Sequence, residues 1–155
     1  MEIKPTRALA LAAALCASSL PTLTAAQSGP QPPLPTVRLT AGGMHIIQAE
    51  VAIAPEERAT GLMFRTEMAT NAGMLFGFEQ PAVHCFWMSN TPLPLSIAFL
   101  ADDGTVVNIA DMKPRTTESH CAARPVRYAL EMNQGWFAKR GIKPGSRLQG
   151  GPFGK

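Results

Sequence analysis

Period-two alternation of apolar and polar residues dominates the chain from Thr36 onward. Val37 and Leu39 fall on one face of a short strand, "AGG" at 41–43 turns the chain, and over 44–54 Ile47, Ala49, Val51 and Ile53 oppose Gln48 and Glu50, which predicts a hairpin. The signal changes at "APEERATGLMFR" (54–65). Pro55 suits a first helical position, Glu56 and Glu57 complement the N-terminal dipole, and Gly61 weakens continuation, so one short helix ending near Leu62 is expected. Further strands are predicted at 73–78, 84–88, 95–101, 105–110 and 126–132, with "ADDG" as the tight turn of a second hairpin over 95–110. In the last of these, Val126, Tyr128, Leu130 and Met132 alternate with Arg127 and Glu131, which predicts one wet face. "GWFAKRG" reads as a second short helix ended by Gly141, and "IKPGSRL" as a turn into a final edge strand. Short strands with two short helices and no repeated strand-helix-strand rhythm predict a mainly β single domain, an antiparallel sandwich or barrel-like fold.

The first 35 residues lack this pattern. Lys4 and Arg7 precede an apolar run from Ala8 to Leu20 and a small-residue exit, "TLTAA", which together predict a signal peptide over residues 1–26. The run is too short to span a bilayer, so no stable membrane anchor is expected after cleavage and the mature protein is expected to be periplasmic or secreted. "QSGPQPPLP" (27–35) reads as a Pro-rich extended linker, which leaves residues 36–150 for the β domain. The formal charge of +3 falls by one when Glu2, Lys4 and Arg7 are removed, and the remaining basic residues are scattered singly. No nucleic-acid footprint is expected; the partner classes left are a small molecule or an envelope protein.

Two His-Cys pairs, 84–85 and 120–121, hold the two cysteines that survive cleavage. An even thiol count in an exported chain favours one disulfide, Cys85 to Cys121. The alternative is a zinc or soft copper site built from His84, His120, Cys85 and Cys121, which supply suitable ligand types. Alternation opposes it, because neighbouring residues on a strand point to opposite faces. A catalytic thiol with a histidine base is a third reading, and no CxxC spacing announces it. Phosphate-cradling glycine loops, HExxH and GxSxG are absent from the sequence.

"GLMFR" (61–65), "GMLFGF" (73–78), "FWMSNTPLPLSIAF" (86–99), "YALEM" (128–132) and "GIKPGSRL" (141–148) resemble, in order and spacing, domain of unknown function 192, DUF192, also called UPF0127. The resemblance covers about residues 44 to 149. It implies a compact β-rich domain, commonly exported, with no accepted activity. Ser96 stands where the family commonly has Asp, Ser89 where Lys is frequent and Ser146 where Asp is frequent. Ser96 alone cannot do a carboxylate's proton transfer at neutral pH, which weakens an enzymatic reading.

Within these motifs Arg65, Trp87, Asn90, Thr91 and Glu131 are the candidate ligand-binding residues. Each has a structural alternative: Arg65 can pair with Glu67 or Glu131, Trp87 can be core, Asn90 and Thr91 can serve the turn before Pro92, and Glu131 can face solvent. Together a Trp face, a fixed guanidinium and a turn amide would bind a small carboxylate, phosphate or sugar. Met63, Met74 and Met88 can line such a site. The expected function is a small-ligand-binding or accessory module without catalysis and without a resident cofactor. The alternative is a metal-dependent (copper or zinc) or hydrolase-like enzyme.

Overall fold

A computed structural model describes residues 28–153; the predicted signal peptide lies outside the described residues. The strands are β1 (Thr36–Ala41), β2 (His45–Ala52), β3 (Ala72–Ala82), β4 (Cys85–Phe86), β5 (Leu95–Leu100), β6 (Val106–Met112), β7 (His120–Cys121), β8 (Val126–Asn133) and β9 (Leu148–Gly150), with one α-helix, α1 (Pro55–Thr60). Seven strands form one curled sheet in the order β6-β5-β8-β3-β2-β1-β9, and β4 pairs with β7 in a small ribbon. The fold is mainly β and mainly antiparallel, as the alternation predicts. One pair departs from that rule: β2 and β3 run parallel, because α1 carries the chain across between them.

Both faces of the central strands are dry. Leu75, Ala98, Leu130 and Met132 face one core with Trp136 and Phe137, while Met74, Phe76, Ile97, Phe99 and Ala129 face the other with Leu62 and Met88. The wet face predicted for β8 is therefore corrected. β8 lies between β3 and β5, and its Glu131 side is roofed by the segments that follow α1 and β4, so Glu131 is 4% exposed.

The remaining boundary differences have local causes. "AKR" closes as a 3-10 turn, Ala138–Arg140, with Gly141 left-handed. "IKPGSRL" is the predicted turn into edge strand β9, and it is held in place because Gly145 donates its N–H to Val106 O and Ser146 O accepts from Val106 N, each at 2.8 Å. Leu148 N reaches Gly104 O at 2.9 Å, so this loop stitches β9 to the start of β6. Gly104 is required there: its φ is +82°, and a Cβ would stand 2.2 Å from Leu148 O. The proline-rich leader is docked. Gln31 donates its side-chain amide to Glu57 O and Gly61 O, and Leu34 packs on the second core.

Candidate functional site

Three loops meet on the roofed side of the sheet. Gly61 ends α1 at φ +50°, where a Cβ would press on the Phe76 ring at 3.2 Å, so the chain can cross close over β3 only with glycine here. Phe64 follows in the left-handed region and donates its N–H to Asn90 O at 2.7 Å. The "MSNT" turn closes through Thr91 N to Met88 O at 3.0 Å, with Asn90 left-handed at its third position, where asparagine is favoured. Arg115, also left-handed, donates its N–H to Thr91 O at 3.0 Å. All three non-glycine residues with positive φ among the described residues line one open cleft of about 600 Å³, together with Thr66, Ser89 and the leader residues Ser28 and Pro30. Such conformations persist only where surrounding contacts enforce them, and they concentrate at ligand sites. The Arg115 guanidinium is exposed and has no ion pair or hydrogen bond among the described residues.

A second recess, of about 40 Å³, lies behind the same loops. Glu131 lines it from β8, in register with Met74 of β3 and Ile97 of β5. Thr60, Met63, Phe86, Trp87 and Thr91 form further wall, and Arg58 stands at its edge. The Glu131 carboxyl has no hydrogen bond or counter-ion among the described residues, and burial pushes its pKa up to about 8. At neutral pH it is a protonated acid. The motifs at 61–65, 73–78, 86–99 and 128–132 all contribute residues to this slot.

The five candidate residues thus fall into three places. Trp87, Thr91 and Glu131 line the slot, with Trp87 55% exposed at its mouth. Asn90 lines the cleft. Arg65 lines neither: its guanidinium forks onto both oxygens of Glu50, one of which also accepts Leu34 N at 2.8 Å. That hydrogen bonding holds the Glu50 carboxyl below its usual range and raises Arg65, and it pins loop and leader to β2. The unengaged cation at the cleft is Arg115, which sequence reasoning missed. "KPR" after an apolar strand marks a turn, but nothing local marks a guanidinium over a cavity.

The missing carboxylate at Ser96 is supplied from the next strand. Ser96 and Asp111 are cross-strand partners; the Ser96 hydroxyl donates to the Asp111 carboxylate and accepts Gly135 N–H at 2.8 Å. This link, buried at Ser96 and exposed at Asp111, ties β5, β6 and the turn after β8 together. Asp111→Ala is expected to cost about 1 to 2 kcal/mol by orphaning the buried hydroxyl's donor. Adding Ser96→Asp should recover most of it, because the new carboxylate accepts the same Gly135 N–H; chemical denaturation of the single and double variants reads both effects.

The His-Cys pairs sit opposite each other in the ribbon, Cys85 against Cys121 and Phe86 against His120, and the cysteines form a disulfide. Bridging takes both sulfurs out of the alternative four-ligand set. His84 stacks on Phe78 at 3.5 Å between ring centres, and burial lowers its pKa. Each histidine keeps a buried Nε2 without a partner. Among the described residues no three His, Cys, Asp or Glu side chains are grouped to hold a metal.

Fold and site together define a small, curled, mainly β domain whose sequence motifs gather around an acid-lined slot and an arginine-edged cleft. The chain belongs to the DUF192 family, described as uncharacterized ACR, whose model matches residues 37–150. A solved protein of unknown function from Novosphingobium aromaticivorans DSM 12444 is similar at 39% identity and a TM-score of 0.72, covering 81% of this chain and 94% of that one. A Sinorhizobium meliloti 1021 protein, described as a proposed transcription regulator, is 36% identical with a TM-score of 0.74, covering 77% and 97%. No curated protein matches the chain.

Proposed function

We propose that this protein is an exported module that binds a small anion, a carboxylate or phosphate compound, in the cleft edged by Arg115, without catalysing a reaction. The observation that carries this reading is the placement of an unengaged guanidinium on enforced left-handed backbone, beside the amide of Asn90 and the hydroxyls of Thr66 and Ser89. A planar guanidinium with five donors suits carboxylate and phosphate oxygens, and a rigid mount reduces the ordering cost of binding. A cleft of about 600 Å³ accommodates a small organic acid. Export accords with the disulfide, which persists in oxidising compartments.

Titration calorimetry with inorganic phosphate and with citrate tests the reading. At least one of the two is expected to bind, and Arg115→Ala should weaken it about tenfold, the scale of one charge-assisted hydrogen bond. Absence of binding by both anions, or equal affinity in the variant, would overturn it.

A further inference from the structure

We propose that the slot closed by Glu131 is a separate binding site for a primary ammonium group, reached along the groove beneath Trp87. The slot shares Arg58, Ala59, Phe86 and Trp87 with a neighbouring open groove of about 340 Å³, and shares no lining residue with the Arg115 cleft. Its volume of about 40 Å³ admits a head group of one or two heavy atoms, with the rest of the ligand left in the groove.

Apart from the Arg58 guanidinium, the polar and aromatic lining is electron-rich. It offers one carboxyl, the hydroxyl oxygen of Thr91, the thioether of Met63 and the rings of Phe86 and Trp87. Thr91 already donates its hydroxyl hydrogen to Ser89 O, so only lone pairs remain on that oxygen. An anion would find few donors here. A cation finds acceptors, aromatic faces and a buried acid that lacks a partner.

Charged neighbours do not pre-empt this role. β3 and β5 present Met74 and Ile97 beside Glu131, both uncharged. The segment after α1 carries Arg65, which is held by Glu50, and the β4 segment carries His84, which lies in the groove rather than the slot. Arg58 at the edge is engaged by Ile53 O and Gly77 O and lies 4.9 Å over the Phe78 ring. The buried acid surrenders its proton when the ammonium enters: the O–H bond breaks, the proton passes to solvent and the carboxylate pairs with the cation.

The test is calorimetric titration of the protein with n-butylammonium, n-butanol and butyrate in buffers of different ionisation heat. The expected result is binding of butylammonium with close to one proton released per ligand at pH 6 to 7. Apparent affinity should rise about tenfold per pH unit and level off above about pH 8. Glu131→Gln should abolish proton release and weaken binding at least tenfold; Trp87→Ala, a surface change, should weaken it several-fold. The proton count and pH dependence are read on the unaltered protein and so do not depend on a variant folding. Butylammonium that fails to bind, binds without proton release, or is outcompeted by butanol or butyrate overturns the proposal.

Discussion

Replacing Glu131 with leucine is expected to stabilise the protein by about 3 kcal/mol at pH 7, with the gain growing as pH rises. The reason is linkage. Burial lifts the Glu131 pKa from 4.5 to about 8, so between these values the unfolded chain releases a proton that the folded chain retains. The unfolded state binds fewer protons, and stability falls with rising pH across that window, by about 1.4 kcal/mol per unit, levelling off above about 8. Leucine removes the titration and keeps an apolar side chain against Met74 and Ile97. Glu131→Gln should flatten the profile equally but gain less, because its amide stays unpartnered. Two other groups bend the curve the opposite way. His84, lowered by burial, loses stability for the fold as pH drops below 6.5, and Glu50, lowered by Arg65, does so as pH falls through its folded pKa. Subtracting denaturation curves of the variant from those of the parent over pH 5 to 9 isolates Glu131. A flat difference would show that this carboxyl titrates normally.

Removing the disulfide is the other large effect. Cys85 and Cys121 are 36 residues apart, and releasing a loop of that size is expected to cost about 4 kcal/mol in the chain-entropy model. The ribbon it fastens has only two residues per strand, so little else holds β4 to β7. β4 leads directly into Trp87 and the 88–91 turn, and both recesses depend on that segment. The Cys85→Ser, Cys121→Ser double variant should therefore show a midpoint shift in guanidinium and a changed Trp87 emission. Dithiothreitol should reproduce both in the parent, since both cysteines are exposed. An unchanged midpoint would mean that the ribbon contributes nothing to global stability.

The sheet was largely legible in the sequence because alternation reports a strand's buried side. The 36–52 hairpin follows from it, the second hairpin, β5 and β6, from the "ADDG" turn signal, and the helix at Pro55 from its proline and acidic first turn. What escaped depends on distant partners. β7 has two residues and no period to read; it exists because Cys121 meets Cys85. Glu131 alternates like a surface residue, and its burial follows from the central position of β8, a fact of topology. Arg65 and Arg115 look alike as sequence, yet one finds Glu50 fifteen positions earlier and the other is set by Thr91 O. Sequence motifs marked which segments converge. They did not say which side chain would be left unsatisfied.

The seam between Gly104 and Leu148 bears on how the molecule behaves when crowded. An outer strand normally presents a row of unused amides and carbonyls that a neighbouring copy can extend into a fibril. Here the 145–148 segment occupies the start of β6, and the Asn108 side chain clasps Cys121 O and Ala123 N farther along it. Self-templated aggregation through that rim must first break these internal bonds, so the folded protein resists it without needing charged or proline gatekeepers there.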